Sequence, residues 1–97
     1  MRIARVIGSA VSTIKAETLR GTKLLVVQTA STADELIGDE VFVAVDAIGA
    51  GQGELVLISE GSAARHTPLT AEAPVDAVIL AILDSLEVGG DTTFRKS

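Results

Sequence analysis

The stretch Asp46–Arg65, DAIGAGQGELVLISEGSAAR, constrains this chain most, because it sets two small-residue turns around one short apolar strand. Gly49, Gly51 and Gly53 alternate through the first turn, which suits a backbone that takes positive φ or lies close against another backbone. Leu55–Ile58 follows as a buried strand. Gly61, Ser62, Ala63 and Ala64 then run with almost no side-chain bulk before Arg65 and His66. The pattern favours close approach over chemistry, and the rest of the chain reads as scaffold around it.

Upstream, Arg2–Val11 mixes β-branched residues with Ala4, Gly8 and Ala10, which predicts a first strand with room for a bend or bulge. Ser12–Gly21 is mostly polar and predicts a connection that turns at Gly21 and Thr22. Leu24–Val27 is a continuous apolar run too short for a helix, and predicts a buried second strand. Thr29–Asp39, with Gly38 near its end, predicts a solvated loop between antiparallel neighbours. Val41, Val43 and Val45 then alternate with Phe42, Ala44 and Asp46. This is a period-two strand with both faces partly apolar, as a barrel or an interface requires.

After a linker at Thr67–Ala73, the spacing predicts a helix. Pro74 suits a first helical position, Asp76 places negative charge in the first turn, and Gly89 and Gly90 provide a positive-φ stop. Val75, Val78, Ile79, Ile82, Leu83 and Leu86 form one apolar stripe, with Leu80 off it. Asp91–Arg95 is expected as a short edge strand. The fold class is therefore mostly β: a small OB-like five-stranded antiparallel β-barrel with one short C-terminal helix.

Ninety-seven residues make one domain, 1–97, and bury only about two-thirds of the surface that the unfolded chain exposes. Yet 47% of the residues are apolar, mean hydropathy is +0.46, and the only aromatics are Phe42 and Phe94. That is more aliphatic surface than a small monomer hides, so part of it is expected to face sister subunits. The net charge of −5 and the scattered basic residues argue against nucleic acid as a partner. Cysteine is absent, which excludes disulfides, thiolate metal sites and a cysteine nucleophile. No run approaches the roughly twenty apolar residues of a membrane span, so the cytosol is the default compartment.

Catalytic, cofactor and metal readings all fare poorly. A GxGxxG phosphate loop needs glycine where Glu54 stands, and a strand rather than a helix follows. Ser62 and His66 lack an orienting carboxylate and a pocket, and a lone histidine misses zinc spacings. Asp46 and Glu54 flank the glycine turn, where carboxylates commonly accept its free N–H groups. Arg65, with its planar fork, suits either carboxylate as a partner, within a subunit or across an interface.

Four blocks, RIARVIGSAVSTIK, GTKLLVVQ, VAVDAIGAGQGELVLISEGSAAR and PVDAVILAILDSLEVGG, together resemble the EutN and CcmL family of bacterial microcompartment vertex proteins. The central block is the most specific of them. The resemblance implies a homopentamer that caps the vertices of a polyhedral shell, of carboxysome or metabolosome type. Its partners would be hexameric and trimeric shell proteins, with no catalysis. It also implies subunit contacts at or near Asp46, Gly49, Gly51, Gly53, Glu54, Gly61, Ser62 and Arg65. A nucleic-acid-binding OB module is the alternative that the same barrel would support.

Overall fold

The computed structural model describes residues 1–10, 23–46, 48–61 and 77–96. Seven strands are present among them: β1 (Arg2–Ala10), β2 (Lys23–Ala30), β3 (Leu36–Asp46), β4 (Leu55–Glu60), β5 (Ala77–Ile82), β6 (Ser85–Val88) and β7 (Asp91–Arg95). The first five close into a barrel of order β1-β2-β3-β5-β4, and β6 and β7 form a separate two-stranded sheet. Every barrel seam is antiparallel except β3–β5, which is parallel at Val45↔Val78 and Asp46↔Ile79. The expected β-barrel is therefore present, with one parallel seam.

Alternation along the strands builds the interior. Ala4 and Val6 of β1, Leu25 and Val27 of β2, Ala44 of β3, Val56 and Ile58 of β4, and Ala77 and Ile79 of β5 form one buried cluster. Ala50 from the glycine turn joins it, and Phe42 and Ile82 pack against it. The intervening residues point outward, since a strand sends successive side chains to opposite faces. The bulge expected in the first strand falls between Val6 and Gly8, where the β1–β2 register shifts.

No helix occurs among the described residues of the C-terminal third, so the predicted helix from Pro74 is corrected to strands β5 and β6. Pro74, Val75 and Asp76 lie outside the described residues. The stripe misled because Val78–Leu83 is apolar at almost every position, so a helical period and a buried strand fit it equally well. Barrel closure then decides, because Ala77–Ile82 fills the gap between β3 and β4. Gly89 and Gly90, with φ of 59° and 90°, form the two-residue turn of the β6–β7 hairpin, where Val88 pairs with Asp91. The edge strand expected at Asp91–Arg95 is β7.

The predicted loop at Thr29–Asp39 shrinks to five residues, 31–35, between β2 and β3. Ser31 organises this turn: its Oγ accepts the N–H groups of Ala33 and Glu35. β3 therefore begins with an exposed stretch, Leu36–Val41. The connection expected at Ser12–Gly21 and the linker at Thr67–Ala73 lie outside the described residues.

One end of the barrel is closed by a charged cluster. The Arg2 guanidinium lies 4.9 Å from the centre of the Phe42 ring. It pairs with Glu60 through Nε at 2.5 Å and Nη2 at 3.0 Å, and with Glu40 at 2.9 Å. It also donates to Thr29 Oγ1. The planar fork does what a lysine would not, meeting a carboxylate with two donors while stacking on an aromatic ring.

Strand β5 supports a direct test. Ile79 is 1% exposed within the core and Leu80 sits where the β4–β5 register shifts. Ile79→Ala is expected to destabilise by about 2–5 kcal/mol, and Leu80→Ala by clearly less. Urea denaturation at one protein concentration measures both; equal losses would contradict this register.

Candidate subunit interface

The glycine turn joins β3 to β4 and is braced by the two carboxylates that flank it. Asp46 Oδ1 accepts the N–H of Ile48 at 3.1 Å, and Glu54 Oε1 accepts the N–H of Gly51 at 2.7 Å. The turn then continues β4 backward along β1, with Gly53 N–H donating to Val6 O at 2.8 Å and Val6 N–H to Glu54 O at 2.9 Å. Arg5 Nη1 caps the carbonyl of Gly53 at 2.7 Å, and the same guanidinium is paired with Asp34 on the β2–β3 turn. Ala50 is pinned into the core at 1% exposure, whereas Ile48 projects at 45%.

The glycines divide by need. Gly53 holds φ of 88° and Gly49 holds 86°, a region that side chains with a Cβ rarely enter. Gly51 has no such requirement: an added Cβ would lie 3.4 Å from Glu54 Oε1, the end of a flexible side chain.

Glu54 uses both oxygens. While Oε1 holds the turn, Oε2 accepts from Lys96 Nζ at 2.6 Å, tying the β6–β7 hairpin to the glycine turn. The Lys96 hydrogen bond, followed by the Gly51 N–H, lowers the Glu54 pKa below its ordinary value. The hairpin is held further by Thr93 Oγ1 donating to Thr32 O, and by backbone bonds Leu83 N to Leu55 O and Lys96 N to Asp84 O. Asp46 is 3% exposed, and its Oδ2 has no hydrogen-bond partner among the described residues.

Asp46, Gly49, Gly51, Gly53 and Glu54 are thus gathered at one turn. Gly61 is not with them: it lies beyond the far end of β4, about 20 Å along the strand. Ser62, Arg65 and His66 lie outside the described residues. Arg5, Asp34 and Lys96 carry no local signal in the sequence, because each partner is distant along the chain. Among the described residues no group of three or more His, Asp or Glu side chains is placed to hold a metal ion.

The family model for the ethanolamine utilisation protein EutN/carboxysome family matches residues 1–84. The chain belongs to the EutN/CcmL family. It is 47% identical over 96 residues to the carboxysome shell vertex protein CcmL of Synechococcus elongatus, covering 99% of this chain and 96% of that one. It is equally 47% identical over 91 residues to the bacterial microcompartment shell vertex protein PduN of Salmonella typhimurium, covering 89% and 98%. The GrpN pentameric microcompartment shell protein from Rhodospirillum rubrum superposes with a TM-score of 0.79 at 42% identity, covering 91% of this chain and 99% of that one. These EutN/CcmL relatives are structural shell proteins rather than enzymes. The family match stops at residue 84, one position before β6 begins.

Two outcomes follow for this EutN/CcmL turn. Gly53→Ala is expected to cost about 1–2 kcal/mol through its positive φ, and Gly51→Ala far less, as read by urea denaturation. The depressed Glu54 pKa contributes stability above the ordinary glutamate value of about 4.3, and loses it as pH falls through the lower folded value. The Gly51 amide resonance should therefore shift in acid, below about pH 4.3. Glu54→Gln should remove that step.

Proposed function

We propose that this chain is a structural shell protein, one vertex domain over residues 1–97, that assembles as a homopentamer. The ring caps the vertices of a polyhedral bacterial microcompartment of carboxysome or metabolosome type. The observation that carries this reading is the 47% identity to a carboxysome shell vertex protein across 99% of the chain. The pentameric relative at 42% identity supports the ring, and hexameric and trimeric shell proteins are its proposed neighbours in the shell facets.

The glycine turn supports a contact role at Asp46, Gly49, Gly51, Gly53 and Glu54. Its exposed part has little side-chain bulk beyond Ile48 and Gln52, and each flanking carboxylate accepts one N–H group of the turn. Gly61, Ser62 and Arg65 complete the proposed contact set. Nothing favours the nucleic-acid reading: Phe42 is covered by Arg2, and Arg2 and Arg5 are both engaged by carboxylates.

Native mass spectrometry of the purified chain should give about 50 kDa, five copies of 9.9 kDa. A stable monomer would overturn the vertex reading.

A further inference from the structure

Residues directly opposite on antiparallel strands share a face, so the barrel's outer surface can be read from register. On β1–β2–β3 the outward rows are Gly8–Val26–Val43 and Arg5–Gln28–Val41, with Ile7 in the bulge between them. Val41 is 48% exposed, Val43 46% and Ile7 37%. Gly8 adds no bulk, and even a Cβ placed there would lie 4.0 Å from Val26 Cβ. The row Gly8–Val26–Val43 carries no charge at all, in a chain with net charge −5.

We infer that this valine face is covered by a second copy of the chain. The inference rests on the pentamer reading and extends the proposed contact from the glycine turn onto the barrel wall. Three observations favour a copy of the same chain as the occupant. The face is formed by β1, β2 and β3 paired with one another, so it offers a partner side chains rather than a strand edge. Like-charged acidic copies repel, so their contact belongs on an uncharged face, and this face is one. The face is also continuous with the glycine turn, because Val6, the residue before Ile7, exchanges backbone hydrogen bonds with Gly53 and Glu54. A head-to-tail ring needs two different surfaces on each subunit, and the valine face supplies one of them.

The polar residues bordering the face are ready to be dehydrated. Arg5 is bonded to Gly53 O and paired with Asp34, and Gln28 Nε2 donates to Gly38 O at 2.9 Å. Covering the valines therefore leaves the Arg5 guanidinium and the Gln28 Nε2 with partners, which lowers the usual penalty of burying polar surface.

The absence of cysteine makes the test clean. Val43 and Val88 are 46% and 50% exposed in the single chain, so Val43→Cys and Val88→Cys should react with a thiol reagent at similar rates if neither is covered. Each rate is divided by that of the same variant unfolded in urea. In a protein whose wild type has the mass of five chains, Val43→Cys should react at least about tenfold more slowly than Val88→Cys. Equal rates in that ring overturn the inference and leave the pentamer standing, whereas a monomeric wild type overturns the pentamer itself. Slowing that arises only after a purified hexameric shell protein is added also overturns it, and assigns the face to that partner. Val41→Cys repeats the measurement should Val43→Cys fold poorly. Val43→Asp should yield smaller species with unchanged strand circular dichroism, and an unchanged mass counts against the proposal.

Discussion

Closure of the barrel is the constraint on which the rest of this molecule depends. It hangs on a short parallel seam, Val45↔Val78 and Asp46↔Ile79, that lets β5 fill the space between β3 and β4. Without β5, two strands would present unpaired N–H and C=O groups to solvent, the template for uncontrolled pairing with other chains. With it, each barrel strand has a hydrogen-bonded neighbour on both sides over at least part of its length. The interior cluster of aliphatic side chains fills the barrel, so the surface left for interaction is the outward set of side chains together with the turns at each end.

The two ends are finished differently. At one, Arg2 lies over Phe42 and reaches Glu60 and Glu40, joining β1, β3 and β4 around the mouth. At the other, the glycine turn drops Ala50 into the core, while Glu54, Arg5 and Lys96 lace it to its surroundings. Exposed ion pairs such as Lys96–Glu54 contribute little each. Their weight here is positional, because a lone two-stranded hairpin is marginal in water and needs tethers. The β6–β7 hairpin is such an element, and it lies beyond the part of the chain that the family model matches. Its placement depends on the contacts of Thr93 with the β2–β3 turn, of Leu83 with β4 and of Lys96 with Glu54.

Much of this was legible from residue order where the determinants are local. Alternation at Val41–Asp46 gave a strand with two apolar faces, and small residues in the first strand gave its bulge. Carboxylates on either side of a glycine turn gave their own hydrogen bonds, because Asp46 and Glu54 act within three residues of themselves. Local pattern failed at Val78–Leu83, where uniform apolarity erases the difference between periods and only closure of the sheet decides. It also understated the strands beside the β2–β3 turn, since Leu36–Val41 is exposed and carries no burial pattern. Arg2–Glu60 and Lys96–Glu54 join positions 58 and 42 residues apart, and no spacing in the sequence encodes such meetings. The family was legible for a different reason: its central block combines turn, strand and turn in one order.

An acidic chain that assembles with itself must reconcile repulsion with contact, and the placement of charge in this molecule does so. Glu40, Glu60, Asp34 and Glu54 are each matched within the chain by Arg2, Arg5 or Lys96. The net charge that remains is screened by salt over a Debye length of roughly 8 Å at physiological ionic strength, so the repulsion between copies is short-ranged. Attraction must then come from apolar area, at about 25 cal/mol per Å² removed from water. The outer rows of β1–β3 offer that area free of carboxylates, and the closed hydrogen-bond network beneath keeps it rigid. Rigidity matters because closing a ring at a fixed number of subunits requires one angle between neighbours. A barrel sealed on all seams holds that angle better than an open sheet free to twist.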